Sequence, residues 1–280
     1  VTTSMEHNSV MRPLHSLEKK GVEVSIVRGD RQGRISPAAI RQAIRPDTKL
    51  IVVTAASNVT GTKAPLEEIG RIALRNGIIF MVDAAQGAGH MQIDAKAQHI
   101  DILAAPGHKG LLGPQGTGLL LLGENAPEIA PLLFGGSGSH SLDPTMPAEL
   151  PERLEAGTLC TPGIAGLREG ILYRKAHPEI AENAAQYAIR LGDALSMCDG
   201  VTVHGTYDRG TVSFTMDRML PGEIAYRLNE HGICVRSGYH CAPIAHRTLG
   251  TAENGTVRVS FGYGNRATDV DRFLDIFHKI

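Results

Sequence analysis

The stretch Ile78-Ile79-Phe80-Met81-Val82-Asp83 decides the fold, because an uninterrupted apolar run of strand length ends in a carboxylate. Similar runs occupy residues 50–54, 102–105 and 118–122, and segments with helical periodicity precede or separate several of them. Strands that are apolar on both faces are typical of a parallel sheet covered by helices. The chain is therefore predicted to have an α/β fold with a mostly parallel sheet sandwiched by helices.

The predicted elements alternate in the first half of the chain and mix differently in the last third. One helix begins at Pro37 and runs to about Ile44, and another begins at Pro65 and stops at Asn76-Gly77. After a proline- and glycine-rich passage, a long helical stretch at 164–197 is interrupted by Pro178. The other predicted elements are strands at 22–27, 201–204, 211–216, 233–236 and 256–261 and helices at 221–231 and 268–280.

This organisation predicts two domains. Residues 1–165 are expected to form a large domain, and residues 166–280 a smaller C-terminal α+β domain. The first residues lack an initiator methionine and read as the end of a strand, so we expect a chain whose beginning has been removed.

Composition excludes several classes of function. The chain has 28 basic and 29 acidic residues, so nothing favours a nucleic-acid or acidic-membrane partner. No run approaches the roughly 20 apolar residues that a membrane helix needs. Four cysteines without a CxxC pair are typical of reduced intracellular thiols, and a cytoplasmic location is expected.

Polar side chains follow the predicted strands at the edge where parallel sheets bind ligands. Asn58 follows the run 50–54, Asp83 closes its own strand, and His108 and Lys109 lie in a glycine-rich segment after 102–105. A lysine in a glycine-rich segment, together with a buried acid, is typical of a pyridoxal phosphate site. The amine can bond to the cofactor aldehyde, and the acid can keep the pyridine nitrogen protonated. The glycine-rich segment around Lys109 lacks the residue spacing of a nucleotide-binding P-loop.

Cys241 lies in a segment bracketed by Gly238 and Pro243, which predicts a loop. Arg236 and His240 are close enough in sequence to favour a reactive thiolate. A half-buried structural thiol is the alternative. A zinc site built on this cysteine and its neighbouring histidines lacks a fourth ligand at suitable spacing.

Four other residues allow two interpretations each. Arg258 interrupts an apolar strand, so it needs either a structural carboxylate or a substrate carboxylate. His7 is either an exposed histidine without a role or a ring stacked on a planar cofactor. Asn58 fits a turn as well as a ligand contact, and Gln86 fits a cap as well as a ligand contact.

Several segments together resemble class V aminotransferase-fold enzymes, most closely cysteine desulfurases with an RxGxxCA loop. The matching segments, in order, are Glu6-His7-Asn8-Ser9, Ser57-Asn58-Val59-Thr60-Gly61-Thr62, Val82-Asp83-Ala84-Ala85-Gln86, Gly107-His108-Lys109, Arg153-Leu154-Glu155-Ala156-Gly157-Thr158, Arg236-Ser237-Gly238-Tyr239-His240-Cys241-Ala242 and Arg258. The resemblance implies the fold of type I pyridoxal-phosphate-dependent transferases and a homodimer. It also implies that the family's N-terminal arm and phosphate turn are missing here.

Carried over to this chain, the resemblance assigns five residues to the cofactor ring. Lys109 would bond to the aldehyde, and Asp83 would pair with the pyridinium nitrogen. His7 would stack on the ring, Gln86 would bind the ring oxygen, and Asn58 would contact cofactor or substrate.

The resemblance assigns the remaining residues to phosphate, substrate and sulfur. His108 would bind the phosphate, and Thr158 would reach the phosphate in the partner subunit. Arg258 would hold the substrate carboxylate with Arg236 nearby, and Cys241 would accept the sulfur.

The activity implied is conversion of L-cysteine to L-alanine, with a persulfide on Cys241 that passes to an acceptor protein or thiol. Selenocysteine lyase and other enzymes of this fold are alternatives within the same class. A non-catalytic fragment that acts only as a dimerisation or interaction module is the alternative of another class.

Overall fold

The structure is a computed structural model that describes residues 1–280, with ten strands and eight helices. The strands are β1 (Thr2–Thr3), β2 (Ile26–Val27), β3 (Leu50–Thr54), β4 (Ile79–Asp83), β5 (Ile102–Pro106), β6 (Gly118–Leu122), β7 (Val201–His204), β8 (Thr211–Met216), β9 (Arg236–Gly238) and β10 (Thr256–Ser260). The helices are α1 (Asn8–Glu18), α2 (Pro37–Gln42), α3 (Leu66–Arg75), α4 (Thr161–Ala176), α5 (Glu179–Ser196), α6 (Pro221–Glu230), α7 (Pro243–Leu249) and α8 (Ala267–Phe277). None of these helices has both the length and the apolar character that crossing a membrane requires.

The first sheet has the order β3-β4-β5-β6, in which β3, β4 and β5 are parallel and β6 is antiparallel to β5. Strand β1 pairs in parallel with β2. The Val1 amine donates to the Leu50 carbonyl (2.8 Å), and the Val52 amide donates to the Val1 carbonyl (3.0 Å). These bonds join the short β1–β2 pair to the edge of β3. The prediction of a mostly parallel α/β sheet is confirmed.

Helix α3 shows how the sheet is covered. Leu66, Ile69 and Ala73 recur at helical spacing and are all buried, while Glu67 and Glu68 occupy the exposed first turn, where acidic side chains favour the helix dipole. The buried face joins a core of 22 buried residues around the first sheet. Each fully buried aliphatic side chain contributes about 1.5–3 kcal/mol relative to exposure.

The second sheet is antiparallel, with the order β7-β8-β10-β9. Its core of 14 buried residues is separate from the first core. Phe214 of β8 meets Phe277 of α8 edge to face, with ring centroids 5.5 Å apart. Helix α7 lies in the last third of the chain, yet its Ala245 and Leu249 pack into the first core. This crossing brings the segment around Cys241 to the first sheet.

Two predicted strands have other bounds in the structure, and one helix was not predicted. The strand expected at 233–236 is instead β9 at Arg236–Gly238, because Ile233 and Val235 pack on the second core without ladder hydrogen bonds. Only the last two residues of the strand expected at 22–27 are paired. Helix α7 was not predicted, although Pro243 at its start and Gly250 at its left-handed end are the usual sequence signals.

Candidate functional site

A cavity of about 540 Å³ opens at the carboxyl ends of β3, β4 and β5. Six of the predicted site residues line it: His7, Asn58, Asp83, Gln86, His108 and Lys109. A larger cavity, about 790 Å³, lies beside the start of β4 at Ile79 and the end of β6 at Leu122, and holds none of them. Its position at the opposite edge of the sheet separates it from the predicted chemistry.

Asp83 and Lys109 face this pocket from neighbouring strand ends. Asp83 is 9% exposed, and its Oδ1 accepts a hydrogen bond from the Ala85 amide (2.9 Å), which leaves Oδ2 available to a ligand. Burial lowers the pKa of the Lys109 amine, and Arg258 and Arg236 add to that effect while Asp83 opposes it. A lysine with a lowered pKa supplies more free amine at neutral pH, which is the form that attacks a carbonyl.

Glycines allow the lysine loop to lie close to its neighbours. A Cβ at Gly110 would lie 2.3 Å from the Ala88 carbonyl oxygen, and one at Gly107 would lie 2.2 Å from the Thr117 hydroxyl oxygen. Any larger residue at either position would push the segment away from its neighbours. The glycines beside Lys109 therefore set how the lysine enters the pocket.

His7 is the N-cap of α1. Its Nδ1 accepts from the Ser9 amide (3.0 Å), so the neutral ring carries its proton on Nε2. Burial, followed by the charge of Lys109, lowers the pKa of His7 and favours this neutral form. The cap fixes the His7 ring at the pocket wall, and stacking of this ring on a cofactor stays a prediction. The helix begins at the next residue, Asn8.

Glu6 was not predicted as a site residue, although it directly precedes His7. The side chain is fully buried, and Oε1 accepts from the Thr3 hydroxyl at 2.5 Å while Oε2 has no partner. Burial raises the pKa of Glu6 to about 8, and the nearby Asp83 charge adds to the rise. The signal in the sequence was its position directly before His7, three residues after β1, and nothing there indicated that it would be buried.

Arg258 and Asn58 contact each other beside the pocket. The Arg258 Nη1 donates to the Asn58 carbonyl (2.9 Å), and no carboxylate lies within ion-pair distance of the guanidinium. Its Nε is buried without a partner. The structural-carboxylate interpretation of Arg258 is therefore wrong, and the guanidinium keeps donors for an incoming anion.

Cys241 is exposed, so it is not a half-buried structural thiol. Its Sγ lies 3.8 Å from Nη2 of Arg236, and its carbonyl accepts from the Asn8 amide (2.8 Å). The Asn58 side chain donates to the carbonyl of the preceding His240 (2.6 Å). These two backbone anchors hold the cysteine loop against the start of α1 and the turn after β3, beside the pocket.

Thr158, like Arg236, Cys241 and Arg258, is not among the residues that line the pocket. It lies on an exposed loop beyond Gly157, whose amide donates to the Gly136 carbonyl (2.7 Å). His108, which lines the pocket, is also exposed. No group of three or more His, Cys, Asp or Glu side chains is arranged to hold a metal ion.

Comparison with known proteins identifies the family of this chain. The family model described as aminotransferase class-V matches residues 1–273. A probable cysteine desulfurase of Methanothermobacter thermautotrophicus is 38% identical over 100% of this chain and 72% of its own length. The cysteine desulfurase IscS of Methanosarcina thermophila is 32% identical over 100% of this chain and 69% of its own length.

A solved structure shows the same fold. The apo structure of cysteine desulfurase from Thermococcus onnurineus NA1 superposes with a TM-score of 0.91 at 36% identity, over 99% of this chain and 71% of that chain. Sequence and structure comparisons thus select the same kind of protein across nearly the whole chain. The chain belongs to the aminotransferase class-V family, among relatives that are cysteine desulfurases.

Proposed function

We propose that this chain is a pyridoxal-phosphate-dependent cysteine desulfurase, in which Cys241 takes the sulfur of L-cysteine. The observation that carries the proposal is the position of Cys241. An exposed thiol, held by Asn8 and by the Asn58–His240 contact, lies beside a pocket that also contains Lys109 and Asp83. An ordinary aminotransferase has no need for a cysteine at this place.

The pocket fits pyridoxal phosphate by size and by its donor set. Its volume of about 540 Å³ lies within the range of small-ligand sites. Lys109 would bond to the aldehyde, and the free Oδ2 of Asp83 would hold the ring nitrogen protonated. Gln86 would bind the ring oxygen, and Asn58 the cofactor or substrate. Bound there, pyridoxal phosphate would supply an electron-withdrawing ring that stabilises negative charge at the substrate Cα.

Phosphate and ring contacts come from residues at the pocket rim. His108 would bind the phosphate, and the His7 ring would stack on the cofactor, since its cap bond to Ser9 fixes its orientation. A neutral His7 adds no positive charge against the protonated ring nitrogen.

Two arginines are suited to the substrate carboxylate. Arg258 has no carboxylate partner in the chain, and its buried Nε is unpaired, so an anion would offset part of its desolvation. Arg236 lies next to the Cys241 sulfur and adds a second positive charge. Together they would place the substrate with its sulfur toward Cys241.

The free amine of Lys109 is the group that would move a proton at the substrate Cα, since burial favours its neutral form. The Cys241 thiolate would then attack the substrate sulfur. A sulfur–sulfur bond forms as the carbon–sulfur bond breaks, and the carbon keeps the electron pair and gains a proton. The products are L-alanine and a persulfide on Cys241, which an acceptor protein or thiol takes by exchange.

A homodimer is the proposed assembly. Leu132, Leu133 and Phe134 are 92%, 71% and 76% exposed in the segment between β6 and α4, and such a run needs cover in water. Thr158 lies in the same segment. A second copy would cover the apolar run and could bring its Thr158 toward the phosphate.

Two domains are proposed at the division expected from the sequence, 1–165 and 166–280. Support comes from the two separate hydrophobic cores, with the exception that α7 of the second range packs into the first core. Four free thiols support a reducing setting such as the cytoplasm.

The test compares Cys241→Ser with Cys160→Ser, a matched change at another exposed cysteine. With pyridoxal phosphate and L-cysteine, wild type and Cys160→Ser should form alanine and carry one extra sulfur on Cys241 by mass spectrometry. Cys241→Ser should bind cofactor normally and lose alanine formation by about 100-fold or more. Wild-type turnover in Cys241→Ser would contradict the proposal, and full activity of that variant on L-selenocysteine alone would favour a selenocysteine lyase.

A further inference from the structure

The backbone at Cys241 is held in a conformation that the residue types do not favour. His240 has φ +49° and Cys241 has φ +58°, and both belong to the left-handed region. Non-glycine residues there cost of order 1 kcal/mol each and persist only where neighbouring contacts impose them. Two such residues in succession therefore require an anchor.

The His240 side chain supplies an anchor beneath the loop. It is 2% exposed, and its Nε2 lies 3.0 Å from the Oγ1 of Thr256, which is fully buried at the start of β10. Thr256 and Arg258 stand two positions apart on one strand, so they share a face, while Val257 between them faces the second core.

These contacts form a closed circuit. Arg258 donates to the Asn58 carbonyl, Asn58 donates to the His240 carbonyl, His240 contacts Thr256, and the chain returns from Thr256 to Arg258. The residue that would hold the substrate carboxylate and the loop that carries the thiol are thereby fixed relative to each other. Removal of one link would free the loop while leaving Asp83 and Lys109 in place.

A second buried ring supports the first. His246 of α7 is fully buried, its Nδ1 lies 2.7 Å from the Thr251 hydroxyl, and its ring centroid is 5.6 Å from that of His240. Burial lowers the pKa of His240 to about 3 and that of His246 to about 4, and the charge of Arg258 contributes for His240. Both rings are neutral near pH 7, so they support the loop by packing and hydrogen bonding.

We propose that His240 is a positioning residue of the sulfur-transfer step, which holds Cys241 in its left-handed turn through the contact of its ring with Thr256. The inference rests on the proposed desulfurase function and adds a residue to it. His240 acts through the backbone of Cys241 and touches neither substrate nor cofactor.

The chain contains a matched control. His204 and Thr215 form a second histidine–threonine pair with Nε2 3.0 Å from Oγ1, and neither has a hydrogen bond to residues 236–243. His204 also lies near enough to His246 to contribute to the lowering of its pKa. Loss of this pair should cost a similar hydrogen bond without releasing the cysteine loop.

The experiment uses the cofactor-loaded protein with His240→Leu, His240→Gln, Thr256→Val and the control His204→Leu. Alanine formation gives kcat and KM, absorbance titration gives cofactor affinity, and hydrogen exchange reports on the amides of 236–242. We expect kcat to fall about 10- to 100-fold in His240→Leu and Thr256→Val, since small misplacement of reacting groups has effects of this size. Cofactor affinity and KM should stay within about 2-fold, loop exchange should rise, and His240→Gln should recover part of kcat.

The double variant His240→Leu/Thr256→Val should be no slower than either single variant if the two residues act as one unit. Unchanged kcat and loop exchange in His240→Leu, or an equal loss in His204→Leu, would overturn the assignment. If His240→Leu does not fold, Thr256→Val carries the same test. An inactive wild type would overturn the proposed function, while loop exchange would still report on His240.

Discussion

The Asn58 side chain donates a hydrogen bond of 2.6 Å to the carbonyl of His240, across 182 positions of the chain. The Asn58 carbonyl in turn accepts from Arg258 at 2.9 Å. One turn residue after β3 thus holds both the loop before Cys241 and the arginine suited to a carboxylate. The site depends on this junction between the two sheets as well as on the strand ends of the first.

Lys109→Ala should abolish covalent attachment of pyridoxal phosphate, because no other amine is placed in the pocket wall. After borohydride reduction, the Lys109 peptide of the wild type should carry the mass of the cofactor. No peptide of the variant should carry it. Lys96→Ala, at an exposed site outside this pocket, is the control and should label as the wild type does. Cofactor trapped at wild-type levels in Lys109→Ala would refute the assignment.

Arg258→Met should raise KM for L-cysteine by about 10- to 100-fold, since a hydrogen bond to a charged group is worth roughly 1.5–3 kcal/mol. The same change should lower Tm by only a few degrees, because Arg258 loses one hydrogen bond to the Asn58 carbonyl, has no ionic partner and has a buried, unpaired Nε. Steady-state kinetics check the expected KM, and thermal melts check the expected Tm. A large fall in Tm with unchanged KM would show that Arg258 is structural.

Glu6 should make the protein less stable as pH rises. Burial raises its folded-state pKa to about 8, against 4.5 for an unperturbed glutamate side chain. Below about pH 4.5 both the folded and the unfolded states hold the proton. Between these values only the folded state holds it, so the free energy of unfolding falls by up to a few kcal/mol and then levels off above about pH 8.

Glu6→Gln removes this titration. Its Tm should exceed that of the wild type at about pH 8 and approach it at about pH 5, as thermal melts at both values would show. Glu124→Gln, at an exposed position, is the matched control and should track the wild type. Equal pH dependence in wild type and Glu6→Gln would mean that Glu6 does not keep its proton.

Phe134→Ser should weaken self-association, because it removes an exposed aromatic ring from the apolar run at 132–134. Light scattering over a concentration series should show a shift from dimer toward monomer. Met197→Ser changes another exposed apolar residue, 87% exposed at the end of α5, and should leave the mass unchanged. A monomeric wild type would contradict the proposed dimer.

Local patterns were sufficient for much of the fold. The runs at 50–54 and 118–122 became β3 and β6 with the predicted bounds, because a continuous apolar run of this length is typical of a strand in a covered sheet. Proline at the first helical position located α2, and Pro178 separated α4 from α5. The strand predicted at 233–236 begins only at Arg236, because Ile233 and Val235 pack on the second core without pairing to another strand.

The site residues likewise include some that the sequence predicted and some that it did not. That Asp83 and Lys109 line one pocket followed from the sequence, since both follow strands whose ends meet at one edge of a parallel sheet, while their roles stay predictions. Glu6 gave no sign of its burial, because burial of a carboxylate depends on the strands packed around it. The free guanidinium of Arg258 was likewise undecided until its surroundings were seen.

The amino-acid sequence by itself determined the apolar strands, the order of the polar residues that follow them, and the cysteine loop bracketed by glycine and proline. Only the tertiary structure decided that Cys241 is exposed in a left-handed turn and that His240 is buried on Thr256. The physical reason is the distance along the chain over which each kind of interaction acts. Periodicity and turn chemistry act over a few residues, whereas the hydrogen bonds from Asn58 to His240 and from Arg258 to Asn58 join positions 182 and 200 apart. Such contacts exist only once both sheets have packed.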